Sequence, residues 1–254
     1  MADLPTSHDP IPVILAAGKG TRMNSERPKV LMPACGRPLI DYVIDALDEA
    51  GITRKLIVVG YRADEVKAAL ASRDHLTFVE QTEQLGTGHA VMVCREQLAG
   101  HEGPVVIVTG DSPMIQSSSI ASLLDSYLAD RPACLLGTLI KEDPTGLGRI
   151  IRDAAGRFTG IVEEKDADEE QRAVQEVNMS TYVFQGPALL ESLARLSNEN
   201  SQREYYLTDC PAILLSMEQK VDALPVLKSC EALSVNNLEQ LAAVEIELKR
   251  IGES

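Results

Sequence analysis

The residues best suited to chemistry lie in one short stretch, Leu15-Ala16-Ala17-Gly18-Lys19-Gly20-Thr21-Arg22-Met23. Glycines flank a lysine, and glycine lets backbone N–H groups come close to phosphate oxygens. Between positions 19 and 29 the cations Lys19, Arg22, Arg27 and Lys29 face only Glu26, a local charge of +3 in eleven residues. The whole chain carries −14, from 38 acidic and 24 basic residues, so this cluster runs against the composition. It suits a triphosphate; a solvated loop with ordinary surface lysines is the blander alternative. Two better-known phosphate loops do not match. G-x-x-x-x-G-K-[ST] needs a different order from Gly18-Lys19-Gly20-Thr21, and G-x-G-x-x-G needs glycine where Met23 stands.

Such a loop needs a scaffold, and the sequence describes one. The apolar run PVILAA (12–17) leads directly into it. Further strand-like runs are KLIVVG (55–60), LTFVE (76–80), PVVIVTG (104–110) and ACLLGTLI (133–140). Helical periodicity fills the gaps over 38–50, 64–70, 88–97 and 117–130. In the last of these Ile120, Leu123, Leu124, Tyr127 and Leu128 share a face behind a serine N-cap. Continuous apolar strands separated by amphipathic helices predict an α/β fold: a Rossmann-like, mostly parallel sheet with helices on both faces. Ligands of such sheets bind at the carboxyl ends of the strands, where this loop lies.

The pattern changes after residue 140. Residues 149–164 read as a hairpin with a glycine-containing turn, and 163–176 as a charged, solvated helix or flap. A smaller inserted β lobe over roughly 141–185 is expected. Helices over 187–196 and 206–217 and a strand over 221–226 complete the domain, which spans 12–236. Residues 1–11 read as a disordered lead and 237–254 as a C-terminal helix. On that helix Leu241, Val244, Leu248 and Ile251 form a stripe that packs on its own domain or gives self-association with another chain.

Composition excludes several function classes. With 254 residues, 44% hydrophobic and 24% charged, the chain is an ordinary globular one. A net charge of −14 argues against a nucleic-acid partner. No apolar run approaches the ~18 residues of a membrane span. The five cysteines are scattered without a C-x-x-C pair, so neither a disulfide framework nor a zinc site is signalled. MADLPTSHDPIP lacks the basic and apolar regions of a signal peptide, and a soluble cytoplasmic protein is expected.

LAAGKGTRM and PKVL (28–31) are followed in order by EQLGTGHA (83–90), TGDSPM (109–114), DPTGLGRI (143–150), GIVEEKDA (160–167), QEVN (175–178), EYYLTD (204–209) and VNN (235–237). On these motifs, from Val13 to Asn237, the chain resembles the sugar-1-phosphate nucleotidyltransferases. Within them it is most similar to the N-acetylglucosamine-1-phosphate uridyltransferases, the pyrophosphorylase half of bifunctional bacterial enzymes. The resemblance implies the nucleotide-diphospho-sugar transferase fold and transfer of a uridylyl group from UTP to N-acetylglucosamine-1-phosphate. The products would be UDP-N-acetylglucosamine, a cell-wall precursor, and pyrophosphate. It implies Arg22 and Lys29 at the reacting phosphates, and Leu15, Ala16, Gly18, Gly20, Gln81, Gly86 and Thr87 around the nucleotide. It further implies Gly148, Glu163 and Asn178 around the sugar, and Asp111 and Asn236 as ligands of Mg²⁺. For Asp111 the alternative is a turn or N-cap role. For Asn236 it is a helix cap, which Asn237 with Gln240 can supply instead. Glu163 and Glu164, adjacent on a strand, should point to opposite faces.

Thr109, Leu147, Met179-Ser180 and Ser234 stand where the family has Tyr, Tyr, Thr-Gly and Gly. Leu147 and Met179 lie beside the implied sugar contacts and bear on the sugar more than on the reaction. The left-handed β-helix of hexapeptide repeats that carries acetyl transfer in the bifunctional enzymes has no counterpart here, so that activity is not expected. The alternatives are a nucleotidyltransferase for another sugar-1-phosphate and a non-catalytic paralogue that binds a UDP-sugar.

Overall fold

Apolar residues on both faces make Ile11–Ala16 (β1) a central strand. Ile11 and Val13 pack on one side, Ile14 and Ala16 on the other. The computed structural model describes residues 8–20, 23, 25–200 and 202–252, and the elements follow in order. A short hairpin of Pro33–Ala34 (β2) and Arg37–Pro38 (β3) leads into Leu39–Glu49 (α1). Next come Lys55–Val59 (β4), Ala63–Ala69 (α2), Leu76–Glu80 (β5), Thr87–Met92 (α3), Arg95–Leu98 (α4), Pro104–Thr109 (β6), Ser117–Asp130 (α5) and Cys134–Ile140 (β7). A second hairpin, Arg149–Arg152 (β8) and Phe158–Val162 (β9), is followed by Glu169–Arg172 (α6), Glu176–Gln185 (β10), Gly186–Leu193 (α7), Cys210–Ser216 (α8), Val221–Leu224 (β11) and Leu238–Gly252 (α9).

Among the described residues nine strands form one sheet, with the central order β11-β7-β10-β6-β1-β4-β5. β1 is parallel to β4 and β6, β4 to β5, and β7 to β11. Only β10 runs against its neighbours in this path, antiparallel to β6 and β7. Two cores cover the sheet. Val13, Leu56, Val58 and Ile107 meet Val91, Leu98, Leu189 and Leu214 of α3, α4, α7 and α8. Ile14, Ile57, Val106 and Val108 meet Ile40, Ile44, Val66 and Leu123 of α1, α2 and α5.

The small lobe grows from β10. Both its halves pair with β7, the second half also pairs with β6, and Val177 in the first half pairs with Arg149 of β8 on its other side. A bulge between Asn178 and Thr181 separates the halves, and Ser180 sits there with φ +55°. The charged stretch after β9 is largely turn. Its one helix, α6, buries no residue and is held by a capping box between Asp168 and Gln171.

Some local expectations change. The helix expected over 88–97 is broken at Val93-Cys94 into α3 and α4. The helix expected from residue 206 begins with a 3-10 turn at Leu207–Asp209. No serine caps α5; its N-cap is Gln116, whose N–H donates to the Glu231 carboxylate 3.0 Å away. On α9, Leu241, Val244 and Leu248 pack against Met23, Ala34, Leu39, Met114 and Val235, so three residues of the expected stripe are used within the domain, whereas Ile251 is exposed. All five cysteines are free. No helix among the described residues is long and apolar enough to cross a membrane.

Candidate active site

β1, β4 and β6 end in register, and the loops leaving this edge open a cleft of about 540 Å³. Leu15 lines it from β1, and Gly18, Gly20 and Lys29 from the segment that follows. Gln81, Gly86 and Thr87 line a second wall, and Asp111 and Asn236 a third. Ala16 is the exception among the expected nucleotide residues. Strand alternation turns its side chain into the core beneath α1, α2 and α5, and Ala17 faces the cleft instead. Arg22 lies outside the described residues.

Lys29 is the centre of the charged group. Gly20, at φ +65°, makes room for it: a Cβ there would stand 2.7 Å from the Lys29 Cβ. The Lys29 ammonium pairs with Asp111 and donates to the Asn236 Oδ1 at 2.8 Å. Backbone bonds fix both partners, since Gly110 N donates to Leu15 O at 2.9 Å and Val235 N to Asp111 O at 3.2 Å. Asn236 is not the cap of α9. Asn237 accepts from Gln240 N at 2.8 Å, which leaves the Asn236 amide to the cleft. Its Nδ2 donates to the Ser234 Oγ at 3.3 Å, which orients Oδ1 toward Lys29. The departure at 234 therefore has a local use.

The second wall is built by clamping two loops together. Gln81 is buried, and its Nε2 donates to Gly86 O at 3.0 Å and lies 3.1 Å from the His89 Nδ1. Gly86 takes φ +101°, and a Cβ there would meet Tyr205 O at 2.5 Å. Gly88 N donates to Tyr205 O, Tyr205 N to Leu85 O and Leu207 N to the Thr87 Oγ1. The segment 204–209 thus closes over the 81–88 turn.

Gly148, Glu163 and Asn178 come together apart from the cleft lining. A Cβ on Gly148 would lie 3.7 Å from both Asn178 Cβ and Glu163 Cδ. Asn178 N donates to Gly148 O at 2.9 Å, and its amide is fixed at both ends, Nδ2 by the Tyr182 hydroxyl and Oδ1 by Ser180 N. Glu163 and Glu164 lie just past the end of β9 rather than on it, yet diverge: Glu164 pairs with Arg149. Glu163 is open to water, but the protein around its carboxyl desolvates it enough to raise its pKa, and Asp166 and Asp209 push the same way. Tyr206 is raised by desolvation and then by Glu204, Asp209, Glu163 and Asp166, and Glu204 of the same segment lines the cleft.

The motif readings missed Gln84 and Glu204 as cleft residues, although both lie within quoted motifs. Gln84 donates to Ala17 O at 3.0 Å, a tie no local pattern reveals. Leu147 and Met179 pack with Leu139, Val177 and Leu227 in an apolar cluster. Among the described residues, no group of three or more His, Cys, Asp or Glu side chains could hold a metal ion. Asp111 and Asn236 do offer two hard oxygens gathered on one ammonium. That donor set fits a hard divalent cation that completes its shell with phosphate and water.

Comparison with known proteins bears on the family and the fold. The chain spans about half the length of the curated relatives it matches. It is 43% identical over 234 residues to "Bifunctional protein GlmU" of Streptococcus equi subsp. zooepidemicus, covering 92% of this chain and 50% of that one. Over 242 residues it is 43% identical to the protein of the same name from Thermoanaerobacter pseudethanolicus, covering 95% and 52%. Among solved structures, UDP-glucose pyrophosphorylase complexed with UDP-glucose superposes with a TM-score of 0.77 at 17% identity, over 95% of this chain and 99% of that one. This likeness establishes a shared fold. Residues 12–209 match the MobA-like NTP transferase domain, and the chain belongs to that family.

Proposed function

We propose that this chain transfers a uridylyl group from UTP to N-acetylglucosamine-1-phosphate, releasing pyrophosphate and forming UDP-N-acetylglucosamine, with Mg²⁺ as cofactor. The observation that carries the reading is the convergence of Lys29, Asp111 and Asn236 in the same cleft as the Gln81–Thr87 turn. The similarity to GlmU over almost the whole chain supports the choice of nucleotide and sugar.

The chemistry asks little of a general base. A phosphate monoester loses its second proton near pH ~6, so the acceptor is already a dianion at neutral pH. The barrier is repulsion between anions and their alignment for displacement. Lys29 supplies positive charge at the reacting phosphates, and Arg22 is assigned to the same task. Gly18 and Gly20 leave the backbone open to phosphate oxygens, and the Gln81 amide and Gly86 offer a polar edge and close approach for the uracil. Gly148, Glu163 and Asn178 hold the sugar. Asp111 and Asn236 would hold the Mg²⁺, which when bound neutralises charge on the phosphate oxygens.

The test is pyrophosphate release with UTP, dTTP, CTP and ATP crossed with the 1-phosphates of N-acetylglucosamine, glucose and glucosamine, with and without Mg²⁺. Metal-dependent turnover confined to UTP and N-acetylglucosamine-1-phosphate is expected. Turnover with another sugar phosphate replaces the substrate and keeps the mechanism. Binding of UDP-N-acetylglucosamine without turnover on any pair makes the protein a binder rather than an enzyme.

A further inference from the structure

Arg149 is the largest fully buried side chain among the described residues, and it lies in the small lobe rather than in the cleft. Its Nη2 pairs with the Glu164 Oε2 at 2.6 Å, its Nη1 donates to Leu147 O, and Nε and Nη2 both approach Arg172 O at 3.4 Å. Glu164 Oε2 also accepts from Gly146 N at 3.3 Å. Arg149 is buried while Glu164 keeps contact with water, so desolvation of the guanidinium offsets much of the attraction and the pair is a poor source of net stability. What a guanidinium offers is a rigid planar fork that fixes several partners at once. Here it ties together the 143–148 loop, the end of α6 and the turn that follows β9.

That turn carries Glu163. Its carbonyl accepts from Asp166 N at 2.9 Å and Ala167 N at 3.0 Å, so the backbone at 163 is held as a unit with its neighbour. With Glu164 drawn onto Arg149, the adjacent Glu163 carboxyl comes to lie beside Gly148 and Asn178. We propose that the Arg149–Glu164 pair is a positioning device that aims Glu163 at the bound sugar phosphate. The proposal rests on the reading of Gly148, Glu163 and Asn178 as the sugar site.

The test is a cycle of Glu164→Gln, Glu163→Gln and the double variant in the full chain, with Arg149→Lys as a second way to lose the fork. Glu164→Gln should raise KM for N-acetylglucosamine-1-phosphate about tenfold, with kcat and the Kd for UTP within about twofold of wild type. Glu163→Gln should raise the same KM at least as much, and the double variant no further, because the pair acts through Glu163. Arg149→Lys, where it folds, should match Glu164→Gln. An unchanged KM in Glu164→Gln, or an effect that persists in full on top of Glu163→Gln, overturns the device while leaving the sugar site intact. An unchanged KM in Glu163→Gln overturns the sugar site, and the device with it.

Discussion

The proposed phosphate end and the proposed sugar end of this molecule are built on different principles. Lys29, Asp111 and Asn236 come from distant parts of the chain and are brought together by the ends of parallel strands buried on both faces. Gly148, Glu163 and Asn178 lie within some thirty residues of one another, the first two flanking an antiparallel hairpin and the third on a bulged strand. Backbone bonds of the sheet and its loops fix the first group, whereas buried polar side chains, Arg149 and Tyr182, fix the second. Substitutions in the first group should therefore remove chemistry with little loss of fold. In the second, local stability should respond to substitution as well as binding, and the two need not move the same way.

The strongest test is at the phosphate end. Asp111→Ala and Lys29→Ala should each lower kcat by at least ~10²-fold, the loss expected for one charge-stabilising group. The thermal midpoint should change little, because neither residue belongs to an apolar core. Steady-state pyrophosphate release beside a melting curve checks both. Near-normal turnover in either variant refutes the assignment of this group.

Glu231 probes how the phosphate end is supported from behind. Its buried carboxyl accepts from Gln116 N at 3.0 Å, Ser119 Oγ at 2.6 Å and Lys228 N at 2.6 Å, and so anchors the segment leading to Asn236 on the start of α5. Burial raises its pKa above the ordinary carboxylate range despite those donors. Glu231→Ala leaves all three donors unpaired and should lower unfolding free energy by about 2–3 kcal/mol in a denaturant titration. The kcat should fall less than in Asp111→Ala. Unchanged stability would show that water replaces the carboxylate without loss.

These contacts also mark what the sequence could reveal. The glycine cradle, the cation run that includes Lys29 and the continuous strands were legible because each is a local pattern: a spacing, a charge run, an apolar period. Asp111 stood out only through the resemblance, since by itself it reads equally as a turn residue. The choice of Asn237 over Asn236 as the cap of α9 was legible too, since two candidates stood beside one Gln240. Glu231 was not, because it caps α5 from more than a hundred residues away, and the serines at the helix start offered a nearer candidate. Arg149 was read only as part of a motif; its burial follows from strand pairing that no local spacing encodes. Ala16 was misplaced for a simpler reason. A motif names consecutive residues, but a strand presents only alternate ones to the cleft.

At the sugar end, Ser180 tests whether the bulge is strained. Its φ of +55° is a conformation that a side chain disfavours and glycine adopts freely. Ser180→Gly should raise unfolding free energy by about 0.5–1 kcal/mol, since removing the Cβ strain outweighs the greater freedom of the unfolded glycine. The backbone N–H that holds Asn178 Oδ1 remains, so KM for the sugar phosphate should hold within about twofold. A destabilised variant would mean that the Ser180 hydroxyl contributes more than its backbone costs.

The smallest effect expected is the pH dependence of Glu163. Its pKa is raised by the protein around its carboxyl, which desolvates it although the residue is open to water, with Asp166 and Asp209 adding to the shift, whereas in the unfolded chain it returns to the ordinary carboxylate value. Between those two values the folded protein holds a proton that the unfolded chain has released, so stability falls as pH rises through that window. Glu163→Gln removes this liability. The variant should melt slightly above wild type at neutral pH, and the gap should close as both are taken below about pH 4, where the carboxyl is protonated in either state. Its KM for the sugar phosphate should nevertheless rise, so stability and binding move in opposite directions at one residue. A gap independent of pH, or a variant less stable than wild type at neutral pH, would show that Glu163 is held by contacts its charge does not govern. The sugar end would then be as insensitive to its own carboxylate as the sheet is expected to be to Asp111.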